Sequence, residues 1–92
     1  MKKVGRAIVL HERDNVATML NDVDSGEEIE VISQYGTFKI KALNRIPFGH
    51  KVSLRVIRKG ERVVKYGEVI GVAVKNIQKG EHVHVHNLKS MF

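Results

Sequence analysis

The chain has 92 residues, a formal net charge of +6 and no cysteine. The length suits one small domain, and the lack of cysteine excludes disulfides, thiolate zinc sites and cysteine-ligated iron–sulfur clusters within the chain. No apolar run long enough for a signal peptide or a membrane span follows Met1, so we expect one cytoplasmic domain over residues 1–92 without membrane contact.

The positive charge favours an anionic partner, such as a carboxylate substrate, an acidic protein surface or a nucleic acid. Lysines and arginines are spread along the chain, and only 5% of the residues are aromatic. Few rings are therefore available to stack on bases, and nucleic acid is not the preferred partner. A solvated basic surface without a dedicated partner is the plain alternative.

The predicted elements are almost all β-strands. Short runs that are rich in branched residues, or that alternate apolar and polar residues, are separated by glycines. In chain order the predicted strands are residues 4–10, 29–33, 37–42, 51–57, 62–65 and 81–85. Gln34-Tyr35-Gly36 predicts a hairpin turn. A short helix over residues 15–21, capped by Asp14, is the one helical alternative, and its branched residues weaken it.

A seven-residue pattern occurs three times. Each copy has a branched residue, two polar residues, Gly-Glu, one polar residue and a second branched residue. The copies begin at Val23, Ile57 and Ile77, and their glycines are 34 and 20 residues apart, which does not fit a solenoid. We interpret the pattern as one β-turn in which glycine takes a positive φ and a strand begins just after it.

Three of the five histidines, His82, His84 and His86, alternate with Val83 and Val85. On a strand, the imidazoles would share one face about 7 Å apart, while the valines would face the core. Imidazole is the commonest metal ligand and a frequent general acid or base. The row is therefore a candidate metal or catalytic site, and an exposed strand face without a function is the alternative.

A proline corner precedes the predicted strand 51–57. Pro47 and Gly49 would place His50 and Lys51 at the mouth of that strand. There the ammonium group could hold a carboxylate, and the imidazole could supply a proton or a hydrogen bond. A turn followed by a basic strand end is the alternative.

Two further segments carry polar groups. Gly67 and Gly71 bracket a short run that is either a hairpin or a close backbone approach to a ligand, without the spacing of a phosphate-binding loop. Earlier in the chain, Asp14 could cap or bind a metal, and Asn15 could hold a hydroxyl group. Capping is favoured for Asp14 on local grounds.

Four segments in this order resemble the small domain of the altronate/galactarate dehydratase family. They are residues 14–17, 46–52, 65–71 and 80–87. The resemblance extends from about Ala7 to Leu88, and its most specific pieces are Gly-His-Lys and His-Val-His-Val-His-Asn. It implies a mainly β fold, a SAF-type β-clip domain.

The resemblance also implies a lyase. Members of the family join this small domain to a much larger catalytic region, in one chain or as a separate polypeptide. They dehydrate altronate or galactarate to a 2-keto-3-deoxy acid with a divalent metal, typically Fe²⁺, with Mn²⁺ as an alternative. A related two-subunit enzyme eliminates sulfite from sulfolactate. We expect a small subunit or domain that works with a large dehydratase subunit on a sugar-acid substrate, and a homo-oligomer is compatible with this expectation.

From these segments we predict a site shared with the large subunit. The predicted catalytic residues are His50, His84 and His86, and the predicted metal ligands are His82, His84 and His86. The predicted substrate contacts are Asn15, Lys51, Lys65, Tyr66 and Asn87. A sulfolactate sulfo-lyase alpha subunit, a non-catalytic sugar-acid-binding module and a small nucleic-acid binder are the alternatives.

Overall fold

The structure is a computed structural model that describes residues 4–91. It contains nine strands, which confirms the predicted mainly β fold. In chain order they are β1 (Gly5–Ile8), β2 (Val16–Met19), β3 (Glu28–Ser33), β4 (Gly36–Lys41), β5 (Lys51–Ser53), β6 (Arg62–Lys65), β7 (Glu68–Ala73), β8 (His82–Val83) and β9 (Leu88–Ser90). Within residues 4–91, no helix combines the length and hydropathy that crossing a membrane requires.

The strands form two sheets. The larger has the order β4-β3-β1-β2-β5-β8, and the smaller has the order β6-β7-β9. Strand β1 pairs in parallel with β3, whereas the other pairs are antiparallel. One apolar cluster, around Met19 and Ile46, lies on the larger sheet, and a second, around Ile57 and Ile77, joins the sheets.

Several predicted strands agree with the structure. The hairpin turn is confirmed, since β3 ends at Ser33 and β4 begins at Gly36. Strand β6 coincides with the predicted strand 62–65. The predicted strand 51–57 is too long, because β5 ends at Ser53, and the helical alternative for residues 15–21 is wrong, because β2 occupies that segment. The branched Val16 and Thr18 pair there with β1 and β5.

The three Gly-Glu turns are confirmed. Gly26, Gly60 and Gly80 have φ angles of 86°, 91° and 88°, and a strand begins two residues after each glycine. In each turn, a carboxylate oxygen of the glutamate accepts a hydrogen bond from the backbone N–H three residues earlier. The donor–acceptor pairs are Asp24–Glu27 (2.7 Å), Arg58–Glu61 (2.9 Å) and Gln78–Glu81 (3.0 Å).

The predicted proline corner, over residues 46–52, is a further turn of the same kind, a likeness that was missed in the sequence. Its glycine, Gly49, has a φ of 83°, but His50 stands where the other three turns have glutamate. The residue three positions before His50 is Pro47, which has no backbone N–H to donate. A glutamate would therefore lack its turn partner at this position, and the side chain is free for another role.

The four turns are linked in pairs. Val23 of the first turn forms a β-bridge with Ile46 of the second, and Ile57 of the third forms one with Ile77 of the fourth. In the fourth turn, the N–H of Gly80 also donates to the carbonyl of Ser53, at the end of β5. This bond helps to hold β8 beside β5, and therefore brings the histidines of two distant segments together.

Candidate functional site

The pairing of β5 with β8 builds a cluster of imidazole rings. The register places Val52 opposite His82, so that His50, just before β5, meets His84, just after β8. The ring centroids of His50 and His84 are 4.1 Å apart, with the planes at 19°. His82 lies 5.1 Å from His50 and 5.6 Å from His84 by the same measure. Residues His50, His82 and His84 are called the histidine cluster below.

The prediction that His82, His84 and His86 alternate on one strand is wrong. Strand β8 ends at Val83, and a turn follows over residues 84–87. Val83 is buried as predicted, whereas Val85 is 81% exposed. His86 stays next to His82, with ring centroids 5.1 Å apart and planes at 42°, but its ring nitrogens are not part of the group of close donors.

Asn87 is the physical reason for this turn. Its side chain is fully buried, and its Oδ1 accepts a hydrogen bond from the His84 N–H at 3.0 Å. Its Nδ2 donates to the carbonyl of His82 at 2.8 Å and to Glu81 Oε2 at 3.3 Å. The carboxamide thus binds two backbone groups next to the cluster. A buried side chain with these bonds does not fit the predicted role as a substrate contact.

The histidine cluster has the donor set of a metal site. Each of its three residues offers one ring nitrogen, and these atoms all lie within 4.8 Å of one another. His50 Nδ1 and His82 Nε2 are 2.9 Å apart. His84 Nδ1 is buried without a hydrogen-bond partner among the described residues. An unpaired buried polar atom is costly, and three nitrogen donors suit a divalent first-row transition metal, so these residues fit such an ion.

The electrostatics keep the rings of His82 and His84 neutral near pH 7. Burial, followed by the neighbouring His86, His50, His84 and Lys51, lowers the pKa of His82 to about 4. Burial, together with His50, also lowers the pKa of His84. Both effects disfavour the protonated ring. The lone pairs of these imidazoles are therefore available to a ligand at neutral pH.

Three of the predicted substrate contacts come together near the cluster. Lys51 on β5 lies opposite Thr18 on β2, and the Tyr66 hydroxyl donates to Thr18 Oγ1 at 3.1 Å. Lys65 Nζ lies 4.9 Å from the centroid of the Tyr66 ring. Burial first, and the charge of Lys65 second, lower the pKa of Lys51. Thr18 was missed, because only the pairing of β2 with β5 reveals its position.

The segment that carries Tyr66 is tightly held. Tyr66 has a φ of 55°, and the following Gly67 has a φ of 80°. The Gly67 N–H donates to Asp14 Oδ1 at 2.8 Å, and a Cβ on Gly67 would come within 2.9 Å of the His11 ring. Asp14 also accepts from the N–H groups of Leu10 and His11, so it holds a turn before β2, and the helix cap that the sequence favoured for it is wrong.

Asn15 joins the two sheets and does not face a site. The residue is only 2% exposed. Its Nδ2 donates to the carbonyl of Arg62 at 2.9 Å, and its Oδ1 accepts from the N–H of Val64 at 2.8 Å. These bonds occupy the carboxamide, so the predicted contact with a substrate hydroxyl does not fit the structure.

Comparison with known proteins gives the family. The family model described as the altronate/galactarate dehydratase SAF domain matches residues 5–91. The chain belongs to this family. Its SAF domain is 41% identical over 83 residues to the altronate dehydratase of Bacillus subtilis, a match that covers 90% of this chain but only 16% of that protein.

Two other relatives show that the SAF domain makes up very different shares of the proteins that contain it. The (2R)-sulfolactate sulfo-lyase subunit alpha of Chromohalobacter salexigens is 36% identical over 86 residues, which cover 89% of this chain and 92% of that protein. The galactarate dehydratase (L-threo-forming) of Escherichia coli is 37% identical over 76 residues, which cover 83% of this chain and 14% of that protein. The SAF domain is thus a small part of the dehydratases and nearly the whole of the sulfo-lyase alpha subunit.

Proposed function

We propose that this SAF domain is the small subunit or domain of a cytoplasmic sugar-acid dehydratase and works with a larger catalytic polypeptide or region. The substrate class is altronate or galactarate, and the product is a 2-keto-3-deoxy acid. Family membership supports the class of reaction. The observation that carries the proposal is the gathering of the His50, His82 and His84 ring nitrogens within 4.8 Å.

The reaction fits these residues. Dehydration breaks the C–H bond next to the carboxylate and the neighbouring C–OH bond, releases water, and leaves an enol that becomes the keto acid. Bound Fe²⁺ or Mn²⁺ would supply positive charge at the substrate oxygens. The histidine cluster would hold the ion through three ring nitrogens, and the substrate and the larger polypeptide would supply any other ligands.

Proton transfer is assigned to His86 in this proposal. The sequence also suggested His50 and His84 as catalytic residues. Both belong to the histidine cluster, so their ring nitrogens would be bound to the ion. His86 is exposed and adjoins His82 without belonging to that group. It can therefore exchange protons with the solvent while it stays next to the bound substrate.

Metal titration of the chain tests the cluster directly. Calorimetry with Fe²⁺ under anaerobic conditions, on chelator-treated chain, should give binding that His50→Ala, His82→Ala or His84→Ala weakens by at least about tenfold. His11→Ala is the matched control and should bind as the unaltered chain does. Equal binding by the cluster variants and the control would refute the assignment.

In enzyme reconstituted with the larger polypeptide, His86→Ala should lower kcat while Fe²⁺ binding is retained.

The second candidate is the alpha subunit of a sulfolactate sulfo-lyase. The observation in its favour is that the match covers 92% of such a subunit. Co-expression with a candidate large dehydratase polypeptide, followed by assays with altronate, galactarate and sulfolactate, separates the two reactions. Formation of a 2-keto-3-deoxy acid supports the dehydratase, and release of sulfite alone would establish the alternative. Sugar-acid binding without turnover would indicate a non-catalytic module.

A further inference from the structure

We infer that Lys51, Lys65, Thr18 and Tyr66 form an anion subsite that binds a carboxylate group without any metal. The inference rests on the proposed function only in naming the acid substrate as the source of that carboxylate. These four residues come from strands β2, β5 and β6 and from the turn after β6. They are called the anion subsite below.

The hydrogen-bonding capacity of the anion subsite points to an acceptor-rich ligand. The Tyr66 hydroxyl proton is used by Thr18 Oγ1, at 3.1 Å. The Thr18 hydroxyl proton and the protons of two ammonium groups remain as donors. A carboxylate offers two oxygens with about four acceptor positions, which matches a set that consists of donors.

The charges of the anion subsite are not balanced by the part of the chain that the structure describes. Within residues 4–91, the ion pairs involve Lys39, Arg45 and Arg55, and neither Lys51 nor Lys65 has a carboxylate oxygen within 4 Å. Both lysines are nevertheless half-buried. Two half-buried ammonium groups without a counter-ion attract an anion more strongly than isolated surface lysines do.

The anion subsite is also built before any ligand arrives. The φ of 55° at Tyr66 is uncommon for a residue other than glycine. It is fixed on one side by the bond from Gly67 N–H to Asp14 and on the other by the bond to Thr18. Such backbone conformations concentrate at binding and catalytic sites. Lys51 directly follows His50, so the anion subsite adjoins the histidine cluster along the chain.

Titration of the chelator-treated full chain with tartrate, followed by amide NMR at low salt, tests the inference. Tartrate is a small hydroxy acid that carries the carboxylate without being the substrate. Shift changes should concentrate at residues 18, 51, 65 and 66. Lys51→Gln and Lys65→Gln should each weaken binding about tenfold, as the loss of a charged hydrogen bond predicts. Tyr66→Phe should weaken it by a smaller factor, and Lys51→Arg should restore most of it.

Lys75→Gln is the control, because this lysine is exposed and lies outside the subsite. It should bind tartrate as the unaltered chain does. Shift changes spread over all basic residues, or equal losses in Lys75→Gln and Lys51→Gln, would overturn the inference in favour of a diffuse basic surface. Retained tartrate binding in a chain that fails to bind Fe²⁺ would refute the metal proposal alone. Fe²⁺ binding without tartrate binding would refute the subsite alone.

Discussion

At the level of single residues, the histidine cluster depends on side chains that do not belong to it. Asn87 needs both an acceptor, for the His84 N–H, and a donor, for the His82 carbonyl. Only a carboxamide of this length supplies both, since aspartate has no donor at neutral pH and alanine has neither group. The geometry of the cluster is therefore set partly by a residue that touches no ligand.

Replacing Asn87 should disturb stability and metal binding together. Asn87→Ala leaves two buried backbone groups without partners, which should lower the free energy of unfolding by about 2–4 kcal/mol. Urea denaturation measures this loss, and Fe²⁺ calorimetry at a temperature where the variant is folded should show weaker binding. Asn76→Ala is the control, because Asn76 accepts only one bond, from Lys59 N–H, at an exposed turn. Equal effects of the two substitutions would contradict the role given to Asn87.

Stability of the metal-free chain should depend on pH through His82. Its pKa is lowered from 6.5 to about 4 in the folded chain. Between these values the unfolded chain binds more protons, so the free energy of unfolding should rise with pH across this window and level off above it. Urea denaturation at several pH values measures the slope, and His82→Ala should reduce it. An NMR titration midpoint of His82 at or above 6.5 would contradict the prediction.

At the level of elements, the turn of residues 77–83 differs from the other three turns of this chain in the space around its glycine. Gly60 and Gly80 have nearly the same φ, but a Cβ on Gly60 would meet nothing within 4 Å. A Cβ on Gly80 would collide with the backbone carbonyl of Lys41. The fourth turn is therefore packed closely against the end of β4, while the third is open to solvent.

Two matched glycine substitutions separate conformation from packing. Gly60→Ala adds only the strain of a left-handed residue, so it should lower the free energy of unfolding by about 1–2 kcal/mol. Gly80→Ala adds a backbone collision as well, and should cost more than about 4 kcal/mol or prevent folding. Urea denaturation compares the two variants. Losses of similar size would show that the contact with Lys41 yields easily.

The elements that the sequence revealed are those governed by local rules. The Gly-Glu turns and the hairpin depend on glycine conformation and nearby hydrogen bonds, and they were found. The corner before His50 was predicted, but its kinship with the Gly-Glu turns was missed because histidine replaces the glutamate. The strand 81–85 was extended too far because alternation of His and Val satisfies the strand pattern, while Asn87 redirects the chain. The convergence of His50 with His82 and His84 depends on strand pairing across 32 residues, which periodicity does not contain.

On the scale of the whole molecule, the two sheets are connected through few polar contacts. The small sheet packs on the larger one through the apolar cluster around Ile57 and Ile77. The carboxamide of Asn15, the residue just before β2, bonds directly to the backbone of β6. The Tyr66–Thr18 bond lies farther along the same pair of segments, so the position of the anion subsite depends on how firmly the sheets are joined.

Loss of the Asn15 link should loosen the small sheet before the large one. Asn15→Ala leaves two backbone groups of β6 unpaired and should cost about 2–4 kcal/mol of unfolding free energy. Hydrogen exchange should rise most at the amides of β6 and β7, with a smaller change in β3 and β4. Asn21→Ala is the control, because Asn21 makes its two bonds, to Arg6 and Val4, at an exposed position. Uniform loss of protection would instead indicate that the sheets unfold as one unit.

Pro47 has a consequence for how this domain can change by mutation. With proline in place, the residue at position 50 can be histidine without leaving a backbone donor unsatisfied. Conversion to a turn like the other three needs two exchanges, since a glutamate at position 50 alone finds no N–H, and an N–H at position 47 alone finds no carboxylate. Either single exchange therefore lacks the glutamate–N–H bond of the other three turns, so the identity of residue 50 is tied to that of residue 47.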